Sequence, residues 1–318
     1  MAETAKKIVI TGGAGMIGQN LLTLLESRGH TNLTVIDRHP TNHTIVRQFH
    51  PSVRMVQADL TTPGPWQDEL ADCTHLVIAH AHLVGTDPQP FIATNIDSTR
   101  HLLEAAAHHG VQYIVHISTA AINSNVFDEY ARTKKVQEEL VDASGIPHVC
   151  LRPTLMFGWF DRKHLGWLSR FMQRVPVFPV PGSGRYLRQP LFAGDFCRII
   201  AACLESSQRG EPITGTYKIT GLERSTYIEL IHGIKRVSGC RTLVLHIPYS
   251  AFWIMLRTNE LLNKNPPFTT NQLKSLVATD DFEVIDWPAI FAVQPTPLEQ
   301  ALKQTFADPV YSKVVLDY

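Results

Sequence analysis

The stretch KIVITGGAGMIGQNLLTLLESRG (7–29) decides how this chain is read. KIVIT (7–11) is a short β-branched apolar run, and the residues after Gly15 carry apolar side chains at helical spacing. Between the two, Gly12, Gly15 and Gly18 recur every third residue, and Gly13, Gly15 and Gly18 satisfy GxGxxG. A tight glycine turn between a strand and a closely packed helix lets backbone N–H groups receive a pyrophosphate at the helix N-terminus. Asp37, 19 residues beyond Gly18, ends the next apolar run LTVID (33–37). A carboxylate there is placed to accept hydrogen bonds from the adenosine ribose hydroxyls and to repel an added 2′-phosphate. NAD is therefore the expected cofactor, and Arg38 and His39 leave NADP as the second choice.

Working outward, further short apolar runs follow: VRMVQ (53–57), HLVIAH (75–80), YIVHIS (113–118) and HVCLR (148–152). Helical patterns separate them, and most are apolar at consecutive positions, as strands buried on both faces must be. This rhythm predicts an α/β fold, a Rossmann doubly wound parallel sheet with a smaller C-terminal substrate lobe. After Arg152 the rhythm breaks. RVPVFPVPGSGRYLRQP (174–190) is too rich in Pro and Gly for a helix, and DFCRIIAACLES (195–206) restores a helical pattern. Residues 1–153 are expected to form the NAD-binding domain, with 187–207 packing back on it, and 154–186 and 208–318 to form the substrate lobe. In that lobe TYKIT (216–220) and TLVLHI (242–247) read as strands, 226–237 as a helix, and AFWIMLRTNELL (251–262) as a core helix.

Composition narrows the function classes. The 318 residues include 29 Lys plus Arg against 29 Asp plus Glu, with 44% hydrophobic and 18% charged residues. Such a balance argues against a nucleic-acid partner and against disorder. The five cysteines are scattered without CxxC spacing, no signal-peptide pattern opens the chain, and no apolar run is long enough to span a membrane, so a cytoplasmic protein is expected. None of the fifteen histidines falls into a metal-binding pattern, and no metal is expected.

YARTK (130–134) places Tyr130 and Lys134 four residues apart on one helix face. A free phenol is a weak acid–base catalyst near neutral pH, and an adjacent ammonium would lower its pKa. Thr119, in STA (118–120), offers a hydroxyl to hold a substrate oxygen beside Tyr130. The expected catalytic residues are Thr119, Tyr130 and Lys134.

With these residues in place, the chain from Lys7 to Ser206 resembles the extended short-chain dehydrogenases/reductases, in particular the NAD-dependent epimerase/dehydratase family. The motifs that carry the resemblance are TGGAGMIG, the Asp37 strand end, ADL (58–60), TNIDSTRHLLEAA (94–106), STAAI, YARTK, LRPTLMFG and RQPLFAGD. It implies an NAD-dependent 4-epimerase or ketoreductase acting on a nucleotide-activated sugar. Lys134 would also bind the nicotinamide ribose, Asn95 would position its helix, Pro153 would lie at the nicotinamide carboxamide, and Arg188 would grip the substrate diphosphate. The expected cofactor contacts are Gly12, Gly15, Met16, Ile17, Gly18, Asp37, Arg38, Asp59, Leu60, Ala79, His80, Ala81, Tyr130, Lys134 and Pro153. His82, Thr119 and Arg188 are the expected substrate contacts, His80 or His82 pointing at the pyrophosphate or the substrate. A homodimer is a family expectation. Departures are the short interval between Thr119 and Tyr130, Leu155 where many epimerases have an asparagine, and Ala120-Ala121 where dehydratases often carry Asp-Glu. Dehydratase activity is thereby disfavoured. Two rival readings are a 3β-hydroxysteroid-type dehydrogenase, suited by the apolar 251–262 run, and a non-catalytic nucleotide-binding subunit like the accessory subunit of respiratory complex I, suggested by RVPVFPVPGSG.

Overall fold

The structure, a computed structural model, describes residues 6–123, 128–263, 268–278 and 282–317. Strands and helices alternate through its first half: β1 (Lys7–Thr11), α1 (Met16–Ser27), β2 (Leu33–Asp37), α2 (Pro40–Phe49), β3 (Arg54–Gln57), β4 (Cys73–Ile78), α3 (Pro88–Phe91), α4 (Ser98–His108), β5 (Tyr113–Ile117), α5 (Glu129–Ala143) and β6 (His148–Pro153). Short elements then lead to a long helix: β7 (Met156–Phe157), α6 (Leu165–Arg174), β8 (Val177–Pro181), β9 (Leu187–Arg188), β10 (Leu191–Phe192) and α7 (Ala193–Gln208). The remainder comprises β11 (Gly215–Ile219), β12 (Ser225–Thr226), α8 (Tyr227–Ser238), β13 (Leu243–Ile247), α9 (Tyr249–Leu262), α10 (Thr270–Val277), α11 (Trp287–Phe291) and α12 (Leu298–Phe306).

Seven strands form one parallel sheet in the order β3-β2-β1-β4-β5-β6-β11. The continuous apolar runs are divided by the two-residue period of a strand. Ile8 and Ile10 of β1 face a core shared with Leu21, Leu22 and Leu25 of α1 and Phe196, Ile199 and Ile200 of α7. Val9 faces the opposite core, with Leu102, Leu103 and Ala106 of α4 and Val141 of α5. Strand order reverses between β1 and its neighbours β2 and β4, which opens a crevice at the carboxyl ends of the strands.

The strand TYKIT, expected in the C-terminal lobe, forms the edge of the main sheet instead: β11 pairs in parallel with β6, Gly215 opposite Val149 through Ile219 opposite Pro153. Trp287 and Phe291 likewise pack into the core beneath α7, and the Trp287 indole donates to the Thr220 carbonyl at 3.0 Å. A separate core unites Phe157, Leu165, Met172, Phe178 and Val180 with Tyr227, Ile231, Ile234 and Leu302. The Pro-rich segment is extended, as its composition demands, and β8 pairs in parallel with β13.

One helix departs from its expected burial. In α9 only Phe252 and Leu256 are buried, whereas Trp253, Ile254, Met255, Leu261 and Leu262 are exposed, Leu262 to 83%. It is not a core helix. Its apolar residues lie all round the helix, so docking one stripe on Leu273 leaves the others in solvent. No helix of the described residues is long and apolar enough to cross a membrane.

Candidate functional site

The glycine turn sits in the crevice between β1 and the exit of β4. Gly12 has φ +67°, and a Cβ there would lie 2.6 Å from the backbone of His80. Gly18 lies so close to the turn that a Cβ would stand 2.3 Å from the Gly13 Cα, which is what brings the start of α1 against the strand. The N-cap of α1 is Gly15, without a side-chain cap and with no acidic residue in the first turn. The helix therefore presents backbone N–H groups and a positive dipole end to an anion. Gly15, Met16 and Ile17 are half-buried along that rim.

Asp37 ends β2 beside this turn. Its carboxylate accepts from the Ala14 amide at 3.1 Å and from the His39 amide at 2.9 Å, so it also fastens the turn to the next strand. Arg38 is exposed and donates to Thr94 at 3.3 Å. Asp59 accepts from the Thr61 amide at 3.0 Å in a local turn, and Leu60 is buried beside it. Ala79 and Ala81 are half-buried at the β4 exit. These groups surround one crevice whose shape and donors suit a dinucleotide.

His80 departs from expectation. Its ring turns inward: Nδ1 pairs with the Thr11 hydroxyl at 2.8 Å and Nε2 with Ser98 at 2.9 Å. Burial holds its pKa down at about 3, so it stays neutral. The ring aims at neither a pyrophosphate nor a substrate, although its backbone still borders Gly12. His82 packs its ring edge-on against Phe91 at 4.6 Å. The backbone of His82 is held on both sides by Asn95, which accepts from its N–H at 2.7 Å and donates to its carbonyl at 3.2 Å. Asn95 also donates to Thr133 of α5 at 2.9 Å. It lies in a π-helical stretch, Ile92–Asp97, whose wider turn points this fully buried amide at two neighbouring elements.

Thr119 follows β5, and Tyr130 opens α5, where Asp128 caps the helix by accepting from the Ala131 amide at 2.9 Å. The Thr119 hydroxyl accepts from the Ala121 amide at 3.2 Å and lies near enough to the Tyr130 hydroxyl to act on its pKa. Burial pushes the Tyr130 phenol up to about 12, and the nearby Thr119 hydroxyl offsets only part of that. Lys134 is not the counterweight the YARTK spacing suggested. It is 1% exposed, and its ammonium donates to the Ile117 carbonyl at 2.7 Å and to the Gln137 side-chain oxygen, with His116 at 3.5 Å. Desolvation lowers its own pKa to about 8. The phenol is thus a protonated hydroxyl at neutral pH, and the ammonium is engaged by Ile117 and Gln137.

Arg188 is placed differently from the family expectation. It is 7% exposed, and its guanidinium donates to the backbone carbonyls of Leu187, Ala278 and Leu276 while lying over the Tyr186 ring. Its donors fasten the end of α10 to β9. Pro153 is buried at the end of β6. A cavity of about 170 Å³ lined by Phe157, Leu191, Trp287 and Thr296 touches none of Thr119, Tyr130 or Lys134.

Sequence reasoning missed His116, Gln137 and the pair Glu138–Arg152, in which the guanidinium donates at 2.9 and 2.5 Å to a carboxylate of low exposure. A histidine inside YIVHIS was the available signal, being a titratable group within a doubly buried strand.

A glycine turn on a topological switch point, an acidic strand end and a Thr–Tyr–Lys group on β5 and α5 define a nucleotide-dependent short-chain dehydrogenase/reductase. The model of the NAD-dependent epimerase/dehydratase family matches residues 8–219, and the chain belongs to that family. It is similar to a ceramide reductase of Caulobacter vibrioides, 26% identical over 88% of this chain and 87% of the relative. It is also similar to a protein of Bacillus subtilis described as an uncharacterized UDP-glucose epimerase, 26% identical over 82% of this chain and 93% of the relative. Among solved structures, UDP-glucuronic acid 4-epimerase from Bacillus cereus, in complex with UDP-glucuronic acid and NAD, superposes with a TM-score of 0.73 at 20% identity, covering 96% of this chain and 99% of that one.

Proposed function

We propose that the chain is an NAD-dependent oxidoreductase acting on a secondary hydroxyl group or its ketone, with a nucleotide-activated sugar as the first substrate class. The observation that carries the chemistry is the meeting of the Thr119 and Tyr130 hydroxyl groups at the end of β5 and the start of α5, with Lys134 buried one turn further along α5. The turn at Gly12, Gly15 and Gly18 and the carboxylate of Asp37 hold the dinucleotide, NAD in preference to NADP. When bound, NAD supplies or takes up the hydride at the substrate carbon. Thr119 holds the substrate oxygen, and Tyr130, protonated because it is buried, delivers the proton to that oxygen as the carbonyl is reduced. In the oxidising direction Tyr130 must first give up its own proton to solvent, and its phenolate then takes the substrate hydroxyl proton as the hydride leaves the carbon that bears it. Lys134 donates to the nicotinamide ribose. Relatives and structural neighbours that include nucleotide-sugar epimerases support this reading.

A second reading, an apolar hydroxylated or keto substrate of the steroid or ceramide kind, is favoured by one specific observation. The guanidinium of Arg188, expected on a sugar-nucleotide diphosphate, is engaged by backbone carbonyls. The relatives include a ceramide reductase and a 3β-hydroxysteroid dehydrogenase of Mycobacterium tuberculosis. A thermal-shift matrix separates the readings: NAD and NADP, each alone and with UDP-, GDP- and dTDP-sugars, a sterol and a long-chain ketone. Stabilisation by NAD with a further rise for one sugar nucleotide is expected. A further rise with the sterol or ketone alone selects the second reading, and no response to NAD defeats both. Tyr130→Phe must abolish turnover of the responding substrate; retained activity removes the catalytic assignment.

A further inference from the structure

Lys134 ends in a buried polar chain rather than in solvent. Gln137, one turn along α5 and fully buried, connects three elements. Its side-chain nitrogen donates to the Thr99 hydroxyl of α4 at 2.6 Å, and Thr99 donates to the Asn95 carbonyl at 2.9 Å. Thr99 thus has its proton committed and receives from Gln137, which fixes the carboxamide with its oxygen toward Lys134. The same oxygen lies 3.1 Å from His116 Nε2, so that nitrogen carries the ring proton and donates. His116 Nε2 is then no acceptor for the ammonium 3.5 Å away. Two of the three ammonium N–H bonds end on Ile117 and Gln137, which leaves one for a bound molecule.

We propose that Gln137 is a positioning residue for Lys134, its carboxamide locked by Thr99 and His116 so that the ammonium is held at the end of β5 with one N–H directed at the bound cofactor. The inference rests on the reading that Lys134 donates to the nicotinamide ribose. A neutral acceptor suits this task because it orients the charge without neutralising it, whereas a carboxylate would capture the ammonium as an ion pair. The titratable and charged groups acting on Lys134 are His116 of β5, His80 beyond β4, Cys150 of β6 and Glu138 of α5 with its partner Arg152. Both histidines are held neutral by burial, and burial pushes the Cys150 thiol up to about 12. Glu138 is already paired with Arg152. Gln137 is therefore the direct side-chain acceptor through which the ammonium can be tuned.

The test compares wild type with Gln137→Glu and Gln137→Met by two readouts on the full chain. Nuclear magnetic resonance of ε-13C lysine, assigned with Lys134→Met, reads the Lys134 titration without cofactor. Calorimetry reads NAD affinity at pH 7. Gln137→Glu is expected to raise the titration midpoint by at least one pH unit and to weaken NAD at least tenfold. Gln137→Met is expected to lower the midpoint, and it keeps the test open if the glutamate variant fails to fold. A folded variant with an unchanged midpoint overturns the positioning role, whatever NAD does. NAD binding as tight in Lys134→Met as in wild type overturns the ribose reading on which the proposal rests, while the midpoints still report on Gln137.

Discussion

Replacing Lys134 with methionine isolates the free energy held in one buried charge. The ammonium has a pKa of about 8 in the folded chain, against about 10.4 for an ordinary lysine. At 1.36 kcal/mol per unit, folding with this lysine costs about 3 kcal/mol at any pH below 8. Methionine removes that cost but leaves the Ile117 carbonyl without its ammonium donor, a loss of about 1–3 kcal/mol. The net gain at pH 7 is therefore small, about 0–2 kcal/mol. The dependence on pH is sharper. Between pH 8 and 10 the unfolded lysine binds a proton that the folded one has released, so native stability rises with pH in that window. The advantage of Lys134→Met must shrink by about 2 kcal/mol from pH 8 to pH 10. Urea unfolding followed by tryptophan fluorescence at pH 7, 8, 9 and 10 measures it. A stability difference that stays flat from pH 8 to 10 would refute the assignment of a desolvated ammonium.

Gly18→Ala places a Cβ 2.3 Å from the Gly13 backbone, so the turn must separate from α1; a loss of about 1–3 kcal/mol is expected, with weakened NAD binding by calorimetry. Arg152→Met leaves the Glu138 carboxylate without its bidentate partner and should cost about 2–4 kcal/mol in denaturant midpoint measurements at pH 7. Because that pairing depresses the Glu138 pKa, the cost is fully present above the ordinary glutamate range and fades as pH falls through the folded value; equal losses at pH 7 and in strong acid would contradict it. Activity that needs the Lys134 ammonium should decline as pH rises through about 8, seen as an alkaline limb in kcat/KM. Leu262→Ser on α9 should change stability by no more than about 0.5 kcal/mol, and a larger loss would mean that the chain itself covers that face.

The central sheet was legible because its strands obey local rules. All six leading strands were read to within two residues, since Val and Ile runs bounded by glycine or polar turns leave little freedom. The glycine turn and Asp37 were legible for the same reason, each being a backbone demand that few residues meet. What was not legible depended on tertiary partners. His80 reads as a ligand-facing group beside a cofactor turn, yet its neighbours Thr11 and Ser98 come from other elements and draw it inward. Arg188 sits in a family motif, but its direction is set by carbonyls of Leu276 and Ala278, some ninety positions away. Lys134 was placed on the correct helix face, and the burial that decides its protonation came from β5, whose His116 gave no sign of its partner. For α9 the apolar composition suggested a core, and only the packing shows which stripe is covered.

The return of the chain to its first sheet has a consequence for how this protein could have been assembled and how it can be divided. β11 and α7 come from beyond the Pro-rich segment, yet one completes the hydrogen bonding of β6 and the other covers the face of β1 that Ile8 and Ile10 occupy. A fragment ending at Pro153 would carry every cofactor motif and still expose an uncovered sheet face and an open strand edge. The nucleotide-binding half is not a cassette. A chimera that exchanges substrate preference with a relative must splice within the lobe, between β7 and β10 or between β11 and α11, and leave those return elements and α11 in place.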